Sequence, residues 1–213
     1  AADPQPALIR INAPEPVPAP QPKPAPQEDP AIAFDRDEVI GKAANALTSV
    51  RTAEGRFTQQ DQTGSAAGKF YISRPGKLRF DYTSPETMHI VSDGVSVSIE
   101  EPERDAFDAV PLASTQLSLF LRDDLDFDRD GNVVDVSASD VSYFLTLEDE
   151  SGEADGQMIL EFRRSDFELM GWRAIDGAGG QTFVSLQDVK TGTRLRPSLF
   201  VVTDPADRND DRR

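Results

Sequence analysis

The sequence predicts a mainly β protein: an antiparallel sheet curled on itself, with two or three short helical pieces. Three observations predict it. From Arg56 onward apolar residues recur at every second position, the period of a half-buried strand. The alternating runs are broken by turn chemistry, above all Arg74-Pro75-Gly76 and Asp93-Gly94, so successive strands form hairpins. No repeat period supports a propeller or solenoid, and a succession of hairpins closes most simply as an antiparallel sheet.

Residues 1–30 stand apart. Ten of the chain's 16 prolines fall there, many in the run Pro14-Glu15-Pro16-Val17-Pro18-Ala19-Pro20. Such a segment favours extended polyproline geometry and buries too little apolar surface to offset its ordering. It is expected to be a disordered linker before a domain over 31–205 and a charged tail over 206–213.

A helix is expected from Asp35, capped by Asp35 or Asp37, with Asp37 and Glu38 at the positive end of its dipole. Val39, Ile40, Ala43, Leu47 and Val50 recur at helical spacing, and Gly41 makes the helix depend on docking. Strands follow over 56–60, 69–72, 77–82, 88–92 and 95–99. In the last, Val95, Val97 and Ile99 share a face with serines opposite, so one wall of the sheet is expected to be apolar and the other wet. Alternation leaves open which parity faces inward.

Pro111-Leu112-Ala113-Ser114 leads into a short helix capped by Ser114 or Thr115, with Leu117, Phe120 and Leu121 on one side. An acidic run over 123–130 ends it, and 133–136 reads as extended. Further strands are expected over 141–147, 158–162, 169–175, 182–189 and 199–202, about ten in all.

Composition narrows function. The chain of 213 residues carries 22 basic and 38 acidic side chains, a formal charge of -16. That surface repels nucleic-acid phosphates and anionic headgroups, so nucleic-acid binding is not expected and a soluble monomer is. Without cysteine there are no disulfides and no thiolate chemistry. No apolar run reaches the roughly 20 residues of a membrane span. The opening Ala1-Ala2-Asp3-Pro4, without Met, suits a mature exported protein.

Catalytic motifs fail their context tests. His89, the single histidine, lies in a strand and faces away from Met88 and Ile90, with no Gly-x-Ser-x-Gly elbow to accompany it. Asp126-Phe127-Asp128-Arg129-Asp130-Gly131 matches the first half of a calcium loop, but Ser137 stands where a bidentate Glu is needed. It reads as an acidic solvated loop, with a weak cation site as the alternative. The glycines at 177, 179 and 180 lie between strands and lack a phosphate loop's Lys-Ser or Lys-Thr. Neither enzyme chemistry, a metal nor a cofactor is expected.

One segment is more specific. Arg74-Pro75-Gly76-Lys77, with alternation through Leu78, Phe80 and Tyr82, is followed by Val91-Ser92-Asp93-Gly94. With Gly55-Arg56-Phe57-Thr58-Gln59, Gly68-Lys69-Phe70, Val110-Pro111-Leu112, Gly180-Gln181-Thr182 and Asp188-Val189, it resembles the outer-membrane lipoprotein carrier family, LolA. The resemblance implies an unclosed β-barrel with a helical lid over an apolar cavity. It implies a periplasmic, non-catalytic carrier that takes acylated lipoproteins from an inner-membrane ABC transporter to an outer-membrane acceptor, LolB where present. Phe57, Phe70, Ile72, Leu78, Phe80 and Tyr82 are then expected on the sheet side of the cavity, and Leu112, Leu117, Phe120 and Leu121 on the lid side. Arg74 corresponds to a family arginine that bonds lid to sheet. The alternatives are a periplasmic sensor or adaptor using the same half-barrel and a calcium-dependent interaction domain.

Overall fold

The computed structural model describes residues 32–85, 87–104, 106–121, 127, 133–148 and 155–202, with the side chains of Leu119 and Phe120 excepted. The expected linker, the charged tail and all but Phe127 of the calcium-like loop lie outside the described residues. Helix α1 (Arg36–Ser49) opens the described chain; Asp35 caps it by accepting from the Glu38 amide at 3.1 Å.

Eleven strands follow: β1 (Thr52–Gln60), β2 (Ser65–Ser73), β3 (Lys77–Ser84), β4 (Met88–Asp93), β5 (Ser96–Glu101), β6 (Ala106–Pro111), β7 (Val133–Ala138), β8 (Ser142–Glu148), β9 (Gln157–Arg163), β10 (Leu169–Ile175) and β11 (Gln181–Thr191). They form one sheet in the order β6-β5-β4-β3-β2-β1-β11-β10-β9-β8-β7, and every described pair is antiparallel. Two meanders, β1 to β6 and β7 to β11, are joined by the β1–β11 ladder, and the terminal strands β6 and β7 do not pair with each other. The sheet is an unclosed barrel.

Its curvature follows from one distance. Strands β3 and β10 are four places apart, about 19 Å in a flat sheet. Yet the rings of Phe80 on β3 and Trp172 on β10 lie 5.9 Å apart, edge to face. The wings therefore fold toward each other around a shared apolar face.

Register shows which parity makes that face. Phe57 pairs with Leu186, Phe70 with Phe80, Ile72 with Leu78, and Leu145 with Leu160. All eight are buried. Helix α1 lays Val39, Ile40, Ala43 and Leu47 onto the same core. Glycine allows close approach on this wall: a Cβ on Gly68 would lie 2.0 Å from the Asp81 carbonyl and 2.8 Å from the Phe57 ring.

The chain leaves the sheet at one edge, β6, and re-enters at the other, β7, so residues 112–132 connect the two rims. Their described part holds a 3-10 turn (Leu112–Ser114) and a four-residue helix, α2 (Ser118–Leu121).

Four expectations are corrected. Residues 199–202 are not a strand: Pro197, which has no amide proton, starts a 3-10 turn (Pro197–Phe200) packed over β3 and β4. Strand β6 was not foreseen, because Ala and Asp are poor strand formers and pairing with β5 overrides that preference. Val95 lies in the turn before β5 and is exposed, while Ser98, expected to face water, is wholly buried. Ser114 and Thr115 do not cap a helix; their hydroxyls donate backward to the Pro111 and Leu112 carbonyls and tighten the turn.

Gly68→Ala is expected to lower stability by about 1–3 kcal/mol, the usual cost of overpacking. Urea unfolding that matches the parent would show that the β2–β3 approach is looser than described.

Candidate functional site

The concave face is built from aromatic residues at its centre and aliphatic residues toward both wings. Phe57 meets Phe80 at 4.7 Å and Tyr82 at 4.9 Å, both edge to face. The Tyr82 hydroxyl donates to Gln59 Oε1 at 2.6 Å, so the one polar tip of this cluster is satisfied. Burial pushes the Tyr82 phenol up to about 12.

Among the described residues, two cavities bear on this face. The larger, about 490 Å³, lies between the C-terminal half of α1 and the sheet. Leu47, Val50, Ala53, Phe70, Ile72, Phe162 and Leu186 supply apolar walls, and Arg74, Asp166 and Glu168 a polar rim. It falls within the roughly 300–1,000 Å³ of small-ligand pockets. A methylene takes up about as much room as a water in the liquid, about 30 Å³, so the volume matches roughly 16 methylenes, about one acyl chain rather than three. The second, about 360 Å³, lies under the crossover and is lined by Gln116, Leu117, Met158, Trp172, Ala174 and Thr182 among others.

The described part of the crossover is fastened at three places. The Leu112 amide donates to the Val95 carbonyl at 2.8 Å, beside the β4–β5 turn. The Gly76 amide, in the Arg-Pro-Gly turn, donates to the Leu121 carbonyl at 2.9 Å. These two turns touch, for a Cβ on Gly76 would fall 2.7 Å from the Gly94 Cα; Gly76 has φ of 72° and Gly94 102°, so glycine suits both. The third fastening reaches the opposite wing. Gln116 Nε2 donates to the carbonyls of Asp155 at 2.9 Å and Ile175 at 2.8 Å. Gly156 makes room for it: a Cβ there would stand 2.0 Å from the Ile175 oxygen and 2.5 Å from Gln116 Nε2.

The sequence-predicted residues divide as follows. Phe70, Ile72 and Arg74 line the larger cavity and Leu117 the smaller. Phe57, Leu78, Phe80 and Tyr82 are buried on the shared face, and Leu112 and Leu121, on the crossover, are buried in the same core. The Phe120 side chain lies outside the described residues. Arg74 is buried and its amide donates to the Arg51 carbonyl at 2.8 Å. Sequence reasoning missed Gln116, which no pattern marks, and Trp172 and Phe162, which sit at inward positions of strands it had found. It also missed Phe127, buried within the acidic run; a lone aromatic among aspartates was the available signal. His89 behaves as a strand residue of the outer face, its Nδ1 2.7 Å from Asp81 Oδ1. Among the described residues no three His, Asp or Glu converge as metal ligands.

The family model for outer membrane lipoprotein carrier protein LolA matches residues 48–203. The chain belongs to the LolA family. An outer-membrane lipoprotein carrier protein of Methylococcus capsulatus is 30% identical over 169 residues, 75% of this chain and 81% of that protein. One from Cupriavidus pinatubonensis is 25% identical, over 75% and 80% of the two chains. A crystal structure of a LolA superfamily protein of Nitrosomonas europaea aligns over 80% of this chain and 99% of its own, at 11% identity and a TM-score of 0.47. LolA carriers bind without catalysis, so this LolA-family chain is a binding protein and not an enzyme. No helix among its described residues is long and apolar enough to cross a membrane.

Gln116→Glu is expected to loosen the crossover, since a carboxylate facing two carbonyls repels where the amide donates. A dye that brightens on apolar surfaces should fluoresce several-fold more than with the parent, with the far-UV spectrum unchanged; parent-like dye binding would deny Gln116 a fastening role. A second expectation concerns pH. The folded-state pKa of Tyr82 lies above the ordinary value of 10, so the stability it contributes is whole below pH 10 and is lost as pH rises toward 12. The loss is about 2–3 kcal/mol. Denaturant midpoints measured across that window in the parent and Tyr82→Phe should converge as pH rises; parallel curves would contradict the assignment.

Proposed function

We propose that this chain is a periplasmic carrier that shelters the acyl chains of lipoproteins and moves them from the inner to the outer membrane. The observation that carries the reading is an apolar concave wall with unfilled space, roofed by a crossover that a few hydrogen bonds hold. Family membership and relatives named as lipoprotein carriers support it.

The energetics explain why such a container is needed. A lipid anchor gains about 0.8 kcal/mol per buried methylene, so three acyl chains of roughly 45 methylenes face about 35 kcal/mol of exposure in water, an upper bound. An empty carrier has the opposite need, because an uncovered apolar wall beyond a few hundred Å² invites association. A roof that closes over the empty wall and yields to cargo meets both. In this reading Phe70, Ile72 and Leu117 meet the first acyl chain. Phe57, Leu78, Phe80 and Tyr82 become accessible as the crossover, with Leu112, Phe120 and Leu121, and helix α1 move aside. The cavity volume supports a staged opening, since one chain fits the closed form and three do not.

Arg74 is the closing residue of this proposal. It lines the larger cavity at the turn whose next amide but one holds Leu121, and its five donors suit backbone carbonyls of the roof. The donor of cargo is an inner-membrane ABC transporter, and the acceptor an outer-membrane protein of the LolB kind.

Arg74→Leu is expected to fold normally, to accept lipoprotein from the transporter in a reconstituted system, and to pass it to acceptor membranes at least tenfold more slowly. Parent-like handover by that variant removes Arg74 from the mechanism. Failure of the parent itself to solubilise an acylated lipoprotein, while it pulls down one soluble protein, favours an adaptor instead.

A further inference from the structure

The two rims of the sheet are not alike. At β7 the outer edge is attended: Arg36 Nη2 donates to the Val133 carbonyl at 2.9 Å, and helix α1 packs against the strand. At β6, among the described residues, the one backbone group with a side-chain partner is the Pro111 carbonyl, which accepts from Ser114 Oγ at 2.8 Å. Residues 106–110 all carry amide protons, and on an edge strand alternate N–H and C=O groups point outward with no ladder to join. Five of the six residues of β6 are exposed. The concave side of this rim is apolar and open as well, with Val110 41% and Ile99 40% exposed.

The charge around this edge is one-sided. From residue 100 to 108 the sequence places Glu100, Glu101, Glu103, Asp105 and Asp108 against the single cation Arg104, whose guanidinium is held by Glu101 at 2.8 Å. Asp108 pairs with Ile99 in the register, which sets a carboxylate beside the exposed apolar residues of the concave side. On the other side Phe107 pairs with Glu100. Antiparallel pairing of two β6 strands about their midpoint would bring Asp108 beside its copy, and like charges at such positions repel. The edge thus disfavours a second copy of this chain and suits a cationic strand.

We propose that β6 is a docking edge for a basic, extended segment of a partner protein, which adds to the sheet as a twelfth strand. The segment pairs backbone to backbone with 106–110, places its apolar side chains on the concave side beside Val110 and Ile99, and sets its Lys or Arg on the other face toward Glu100, within the field of Asp108 at the same edge. Main-chain bonds supply affinity in this mode and the alternating side chains supply choice of partner; the acidic rim also speeds encounter at low salt. The position matters for the roof. Pro111 ends β6, and Leu112, the first fastened residue of the crossover, follows it directly. A strand seated on β6 therefore lies next to the point where the crossover leaves the sheet. The inference rests on the edge and its charges, and holds whether or not acyl chains are the cargo.

The test is amide hydrogen exchange on the full chain with two end-blocked peptides of about nine residues, one alternating valine with lysine and the other valine with glutamate. The basic peptide should slow exchange across 106–110 at least tenfold at low salt, leave 133–138 unchanged, and lose its effect on the double variant Glu100→Lys, Asp108→Lys. The variant should fold as the parent does by far-UV circular dichroism, and it should now be protected by the acidic peptide. Equal protection by both peptides, protection at 133–138 instead, or none at 106–110 would overturn the proposal. So would a concentration-dependent dimer of the parent that protects 106–110 without any peptide, which would make a second copy the occupant.

Discussion

The rest of the structure depends on a connection that the sheet order imposes. A sheet whose two meanders meet at β1 and β11 has its free rims at β6 and β7, and these are consecutive strands. The chain between them has no route within the sheet. It crosses from rim to rim, and its described residues 112–121 lie over the concave side, where Leu117 lines the smaller cavity and Gln116 reaches the far wing. Roof and container are thus one consequence of strand order. The 21 residues of 112–132 reach at most about 70 Å when extended, ample for the crossing and for folding inward on the way. Leu112, Leu121 and Phe127 turn in to the core, and Gln116 ties the segment to the far wing.

Magnitudes decide how such a roof behaves. Four hydrogen bonds fasten the described crossover, each with a net worth of about 0.5–1.5 kcal/mol. Their sum is roughly 2–6 kcal/mol, and burial of Leu112, Leu121 and Phe127 adds about 1.5–3 kcal/mol each, so closure is worth roughly 6–15 kcal/mol, more than the roughly 5.5 kcal/mol that swings a two-state equilibrium from one extreme to the other. It is small beside the tens of kcal/mol that shielding three acyl chains represents. Under the proposed function, closure prevails when the container is empty and yields when cargo competes for the wall. A roof without anchors would leave the aromatic centre open to water.

Much of this was legible in the residues. The change of period from 3.6 to 2 after Val50 located the helix and most strands, since each half-buried strand must alternate. Arg74-Pro75-Gly76 and Asp93-Gly94 marked hairpins by backbone chemistry that few other residues supply. The inward parity was not legible, because alternation is symmetric until something covers one side; α1 and the crossover settle it in the fold. Strand β6 was hidden by its composition, and 199–202 misled because Leu, Phe and Val favour strands while Pro197 denies the preceding bond. Of the site, the large sheet residues were readable as apolar repeats. Gln116 was not, because its meaning lies in two carbonyls 39 and 59 residues away. Phe127 was obscured by the aspartates around it, which drew attention to a cation loop instead.

The central claim is that the concave wall shelters acyl chains, and its most direct test is the mass of the protein as it leaves its own cell. Native mass spectrometry on chain purified without detergent should show a fraction carrying a triacylated protein, lost when acceptor membranes are added and enriched in Arg74→Leu. A bare chain in every preparation, including that variant and cells depleted of acceptor, would contradict the account.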